Sequence, residues 1–304
     1  MSRAADTAAR AAHRPLAGAT WMVLAGVAFA LLNVVTQWLT MRLALAPGSV
    51  AFWQYAFALA LSLPLLRKLG VAALRTQRPG YHFIRVTLAA LGVQAWVAGL
   101  AHVPIWQAIA LVMTSPFFVI IGARLFLHEK VGAARWLASS VGFAGVLIIL
   151  QPWSDAFTAY SLLPIAAALL WGVASLMMKR LTTQERPETI TVWLLLLLTP
   201  LNGALALGAG AALSLPTGMA LLLLLAAGLL TVAGQHLLTL AYSVADAAYV
   251  QPFDDLKLPL NVAAGWLFFS YAPSGYLWIG AALILTASLL MLTHELRQSK
   301  GAAK

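Results

Sequence analysis

Ten apolar segments, each long enough to cross a lipid bilayer, fill this chain almost end to end. A hydrocarbon core about 30 Å thick takes about 20 apolar residues of helix to span. Spans read at roughly 17–40, 49–66, 83–103, 106–127, 133–150, 160–179, 189–208, 217–241, 247–269 and 274–293. The stretches between them are too short for a soluble domain. Charged residues are 9% of the sequence and apolar ones 62%, against about 25% and about 45–50% in soluble domains. The pattern predicts an all-α membrane protein of ten transmembrane helices with tails at 1–15 and 296–304, residues 1–14 being read as disordered.

A net charge of +10 would suggest a nucleic-acid partner for a soluble chain, but the placement of the basic residues points to the lipid bilayer instead. With the N-terminus inside, the inner face collects Arg3, Arg10 and Arg14; Arg67, Lys68, Arg75, Arg78 and Arg85; Arg124, Lys130 and Arg135; Lys179, Arg180 and Arg186; and Arg297, Lys300 and Lys304. Arg42 falls outside and Lys257 within the ninth span. By the positive-inside rule both termini are cytoplasmic. The partition requires every span to alternate, which supports ten; of the inner loops only the one at 242–246 lacks a basic residue. The early arginines, the apolar run and Ala44-Leu45-Ala46 imitate a secretory signal. That run is about 24 residues against the 7–15 of a signal core, so the first helix is expected to be retained. No cysteine is present, which excludes disulfide and thiol chemistry.

Laid on itself about 141 residues out of step, the chain repeats. Leu100-Ala101-His102, Pro116 and Leu127-His128-Glu129-Lys130 fall against Leu240-Ala241-Tyr242, Pro259 and Phe269-Ser270-Tyr271-Ala272. The halves, 16–155 and 156–295, then hold five spans each. Five is odd, so the second half enters the membrane inverted, a plan of secondary transporters whose sites lie between the repeats near the midplane. The string Pro104-Ile105-Trp106-Gln107-Ala108 to Pro116, then Leu127-His128-Glu129 and Gly142-Phe143-Ala144-Gly145-Val146, resembles the repeat of the drug/metabolite transporter superfamily, EamA type. The second copy has Tyr271 where that pattern usually has Glu. Within the superfamily the chain is most similar to bacterial aromatic amino acid exporters of the YddG type. That resemblance implies a ten-helix basket around a central cavity in the bacterial inner membrane, exporting aromatic and other neutral amino acids.

The sharpest chemical feature is Asp254, Asp255 and Lys257 near the middle of the ninth span. Charges at that depth cost about 2.5–3.5 kcal/mol each on insertion scales and must face protein or water. Asp254 and Lys257 share a helix face and Asp255 is turned away. They either meet substrate or a proton, or form an ion pair that ties the helix into the bundle. Nine of the eleven tryptophans, Trp38, Trp53, Trp106, Trp153, Trp266 and Trp278 outside and Trp21, Trp136 and Trp193 inside, read as interfacial belts. Trp96 is off the belt and Trp171 sits mid-span, where an indole stacks on a ligand or packs against core or lipid. Asn33, Gln37, Gln54, Gln94, Gln235 and Gln251 are intramembrane amides that need partners. Asn33, Gln37 and Gln94 are cavity candidates alongside Tyr249, and helix-to-helix hydrogen bonding is the simpler reading of all of them. Pro64, Pro116, Pro200 and Pro259 lie within spans, where each tends to kink its helix. The histidines show no metal-ligand spacing, and His236 within a span reads as hydrogen-bonded.

The function expected is secondary transport of small amphipathic molecules by alternating access, with aromatic amino acids as the substrate and cationic drugs as the alternative. No cofactor or metal is expected, and without a Walker-type phosphate loop the chain by itself is not ATP-driven. A membrane-embedded enzyme is the competing class. A metalloprotease needs a His-Glu-x-x-His helix, which is absent, and an aspartyl enzyme needs two converging carboxylates, whereas Asp254 and Asp255 diverge.

Overall fold

The computed structural model describes residues 15–70, 75–115, 117–118, 121, 133–151, 153, 158–182, 185, 187–244, 257–271 and 275–302. Among these there is no strand. Helix α1 (Pro15–Gln37) runs directly into a π-helical turn, Trp38–Arg42. It is followed by α2 (Pro47–Leu69), α3 (Pro79–Leu100), α4 (Ile105–Val112) and α5 (Ala133–Leu150). A 3₁₀ turn, Ala159–Ser161, leads into α6 (Leu162–Thr182), then α7 (Pro187–Gly208), α8 (Gly218–Val244), α9 (Lys257–Phe269) and α10 (Gly275–Ala302). Proline is the first residue of α1, α2, α3 and α7, where its fixed φ suits the helix and its missing N–H costs nothing. α2 and α7 continue past Pro64 and Pro200.

Among the described residues, four segments are long and apolar enough to cross a bilayer by length and hydropathy alone: Leu16–Arg42, Pro79–Leu100, Ala159–Met178 and Gly218–Leu238. Ser140–Leu150, Val192–Gly208 and Gly275–Ala287 are apolar but shorter. Helix ends differ from the expected spans where backbone structure outruns hydropathy. α3 begins at Pro79 rather than 83, so Arg85, expected in a loop, is a buried helical residue. α10 reaches Ala302, through most of the stretch read as a tail. The ninth span was read from 247; residues 245–256 lie outside the described residues, and with them Tyr249, Gln251, Asp254 and Asp255.

Among the described residues, the main contacts between the two groups of five helices keep the same pairing when the groups are exchanged, while contacts inside each group differ. α1 packs on α8 as α3 packs on α6; α2 on α8 as α3 on α7; α1 on α9 as α4 on α6. α2 meets α7, α4 meets α9 and α5 meets α10, each with its own counterpart. At the last of these pairs the backbones touch: a Cβ on Gly145 would lie 2.6 Å from the Gly280 carbonyl oxygen, and one on Gly280 would lie 2.6 Å from that of Gly145. Small residues permit that approach in membrane helices.

Polarity is turned inside out relative to a soluble protein. Leu137, Leu229, Trp266, Leu267 and Ile279 are exposed, while Asn33, Gln37, Gln54, Asn202, Asn261 and Thr231 are buried. An outer surface of this kind matches lipid. Trp38, Trp153, Trp266 and Trp278 are exposed, as interfacial residues are. Trp106 is buried, an interior residue rather than part of a belt, and Trp53 and Trp193 are half-buried with their indole nitrogens out of solvent.

Candidate functional site

Three polar contacts stitch the interior, and each joins the first group of five helices to the second. On α1, Phe29, Asn33 and Gln37 lie on successive turns of one face; on α9, Lys257, Asn261 and Gly265 do the same. Asn33 Nδ2 donates to Asn261 Oδ1 at 3.0 Å, and Asn261 Nδ2 donates to the Lys257 carbonyl at 2.7 Å. One turn away, Lys257 Nζ stands 5.7 Å from the centre of the Phe29 ring. On α3 and α7, Gln94 Nε2 donates to Asn202 Oδ1 at 3.0 Å. On α2 and α8, Gln54 Nε2 donates to Thr231 Oγ1 at 3.1 Å. Asn33, Gln54 and Gln94 thus each hydrogen-bond a side chain on another helix, as amides in a bilayer interior do.

Gln37 is different. Its Nε2 donates to the carbonyls of Leu100 and Val103, at 3.2 and 2.8 Å, tying α1 to the end of α3. Its Oε1 is buried with no hydrogen-bond partner among the described residues. The indole nitrogens of Trp53 on α2 and Trp106 on α4 are likewise buried and unpartnered there. Trp106 packs beside Gly265, one turn along α9 from Asn261, so Trp106 and Gln37 border the same α1–α4–α9 junction.

Trp171 faces protein and not lipid. Its Nε1 donates to the Ala89 carbonyl of α3 at 3.3 Å, and its ring stands 6.0 Å from that of Trp96 at 50°. Gly92, between Ala89 and Trp96 on the same face, makes room: a Cβ there would fall 2.5 Å from Trp171 Nε1. Trp96, Trp106, Trp53, Tyr55, Phe57 and Trp171 all belong to or pack on one continuous apolar core.

A second constellation escaped the sequence reading. His82, on the first turn of α3, is fully buried, and its Nε2 lies 2.7 Å from Glu185 Oε2, on the α6–α7 connection. Thr76, ahead of α3, donates its hydroxyl to the other Glu185 oxygen. The Trp193 ring of α7 stacks on His82 at 5.5 Å and 22°. Arg85, three residues along α3, is buried and donates from Nη2 to the Ile190 carbonyl at 3.1 Å. Burial pushes the Glu185 carboxyl up, but the hydrogen bonds from Thr76 and His82, the charge on His82 and the Gln77 amide outweigh it and hold the carboxyl below its ordinary range. The available signal was Pro79 as a helix start, which places His82 and Arg85 inside α3 on neighbouring turns. Among the described residues no group of His, Asp and Glu forms a metal site.

The sequence matches the EamA-like transporter family twice, over residues 16–151 and 158–293. The chain belongs to that family. It is therefore a multi-pass membrane transporter and not an enzyme. It is 68% identical, over 95% of both chains, to a riboflavin transporter of Rhizobium johnstonii. It is 52% identical, over 92% of this chain and 100% of the relative, to a riboflavin transporter of Brucella anthropi. A solved crystal structure aligns with a TM-score of 0.61 at 19% identity, covering 93% of this chain and 97% of the other, a likeness of fold alone. The superfamily resemblance read from the repeat motifs is thus correct.

Proposed function

We propose that this chain is a secondary transporter of riboflavin in the bacterial inner membrane. The observation that carries the reading is the 68% identity, over nearly the whole length of both chains, to a riboflavin transporter. The interior is consistent with it. Riboflavin has a flat tricyclic ring with carbonyl acceptors and one imide N–H, and it is uncharged at neutral pH. Trp96 and Trp171 offer aromatic faces, the Trp53 and Trp106 N–H groups are donors, and Gln37 Oε1 is an acceptor. Tyr249, Asp254, Asp255 and Lys257 remain proposed contributions of the ninth span.

The mechanism proposed is alternating access by two inverted halves, 16–155 and 156–295, around a central site, with both termini cytoplasmic. The matching contacts between the two groups of five helices support it, since five spans per group would bring the second group in from the opposite side. The test is counterflow in liposomes: purified protein in vesicles loaded with riboflavin, assayed for entry of labelled riboflavin against excess tryptophan, phenylalanine or a cationic drug. Riboflavin counterflow that unlabelled riboflavin alone competes away is the expected result. Tryptophan movement without riboflavin movement would return the substrate to the aromatic amino acids.

A further inference from the structure

We propose that Trp38 and Met41 at the end of α1, with Phe269 and Tyr271 at the end of α9, form the gate that closes one mouth of this transporter and parts each time that mouth opens. The proposal rests on the transport reading above, from which it takes alternating access and riboflavin as the assay substrate.

The four side chains join the two groups of helices through contacts that are easily broken and remade. The Trp38 and Phe269 ring centres lie 5.8 Å apart at 50°, and Phe269 stacks on Tyr271 at 5.6 Å and 11°. The Tyr271 hydroxyl donates to Met41 Sδ at 3.4 Å. A thioether is a weak acceptor, and ring contacts are individually modest. Both helices also end here. α1 widens into the π-helical turn Trp38–Arg42, Ala44 takes a left-handed φ of 52°, and the Leu45 N–H closes back on the Leu39 carbonyl at 3.0 Å. α9 stops at Phe269, Ser270 has a φ of 57°, and the Tyr271 N–H closes back on the Gly265 carbonyl at 3.2 Å. π-Helical turns and left-handed residues other than glycine gather where a structure changes or works.

What lies beneath the clasp separates a gate from a permanent joint. Deeper along the same two helices, Asn33 donates to Asn261 and that contact is satisfied. One turn nearer the clasp stand Gln37 on α1 and Gly265 on α9. Trp106 of α4 lies beside Gly265, where a Cβ would be 3.6 Å from Trp106 Cδ1. Gln37 is 0% and Trp106 7% exposed. Gln37 uses its amide nitrogen on the Leu100 and Val103 carbonyls, so flipping the amide would set its oxygen against two others. Oε1 is thus fixed as an acceptor and Trp106 Nε1 as a donor, each buried with no partner among the described residues. An unpaired donor and acceptor in a closed interior favour the separated state, in which water or a ligand reaches both. A joint that never opens gains by carrying apolar side chains at both positions. The clasp therefore holds shut an end that the polar groups beneath it push open, and Asn33 with Asn261 marks the level at which α1 and α9 stay together while their ends part.

The chain has no cysteine of its own, so a pair introduced at the clasp supplies the only two thiols. Met41→Cys with Tyr271→Cys, and separately Trp38→Cys with Phe269→Cys, are joined by a short bis-methanethiosulfonate and assayed for riboflavin counterflow in proteoliposomes. Joining is expected to stop counterflow and a reductant to restore it, while the single-cysteine proteins keep running after the same treatment. Counterflow through a joined clasp overturns the proposal; where one pair fails to fold, the other decides. A second measurement needs no substrate. In Trp106→Cys the thiol lies beneath the clasp, and adding Trp38→Ala or Tyr271→Ala should speed its reaction with a maleimide about 2–10-fold, the shift in opening that loss of one aromatic pair gives. Unchanged labelling in both variants overturns the gate as well. A wild-type protein that moves no riboflavin removes the substrate reading instead, and the labelling rates then judge the gate by themselves.

Discussion

Filling Gly92 gives the most direct test of how Trp171 is held. A methyl group there would sit 2.5 Å from Trp171 Nε1 and 2.6 Å from Cδ1, both far inside contact distance. The indole cannot rotate away freely, because its N–H is bonded to the Ala89 carbonyl and its ring lies against Trp96. Overpacking of this kind costs about 1–3 kcal/mol, and displacing the indole loses a hydrogen bond worth about 0.5–1.5 kcal/mol net. Replacing glycine by alanine within a helix returns about 0.8–1.0 kcal/mol. Sterics win, and Gly92→Ala should be destabilised by about 1–3 kcal/mol, read as a lowered unfolding temperature of about 2–4 °C per kcal/mol in detergent. The decisive measurement is the double-mutant cycle. In a Trp171→Ala background the methyl group meets empty space, so the penalty of Gly92→Ala should vanish. A Gly92→Ala protein as stable as wild type, or one whose penalty survives Trp171→Ala, would refute the packing described for this pair.

Truncating Asn33 to alanine leaves Asn261 Oδ1 without its donor and should cost about 0.6–2 kcal/mol in denaturant unfolding from mixed micelles; Asn33→Asp, which keeps the shape but cannot donate when ionised, should cost at least as much. Gly145→Ala and Gly280→Ala each press a methyl group onto the opposite backbone, and both should lower thermal stability, whereas the open Gly208→Ala should not. The contact at Glu185 has a definite pH sign. Its carboxyl is held below the ordinary range, so its stabilising contribution is complete above that range and is lost as pH falls through the lowered value; thermal unfolding followed from neutral to acidic pH should show this loss, and Glu185→Gln should flatten it. Reporter fusions after Lys68, Arg135, Arg186 and Arg297 should read cytoplasmic and those after Gly48, Trp153 and Gly210 external, and a cytoplasmic signal after Trp153 would break the inverted arrangement.

Helix positions were legible because burying a backbone in lipid demands about twenty apolar residues, and that demand is written in order along the chain. Helix ends were less so. Hydropathy marks where lipid stops, and the polar last turns of α10 remain helical past that point. Arg85 illustrates the same error in reverse: a charge was taken as the sign of a loop, although α3 had already begun at Pro79. Partners in the interior were hidden for a different reason. Asn33 meets Asn261 across 228 residues of sequence, and neither Asn261 nor Asn202 differs in type from a loop asparagine. Helices that are apolar on every side give no stripe from which to read the inward face, which is why the burial of Trp106 was not legible.

The exchange-symmetric packing has a consequence for how the protein is made. The main neighbours of α1, α2, α3 and α5 are α8, α7, α6 and α10, so the first five helices have few lasting partners among themselves. From the end of α1 at Gln37 to the start of α8 at Gly218 the ribosome adds roughly 180 residues, about 10–40 s of synthesis at ordinary bacterial rates. Asn33, Gln54 and Gln94 are thus each translated well before their partners Asn261, Thr231 and Asn202, and insertion factors or neighbouring helices must shelter their amides in the meantime. Two separately encoded chains, one for each group of five helices, would face the same wait and end in the same contacts, so a split transporter is expected to assemble only when both pieces are synthesised together.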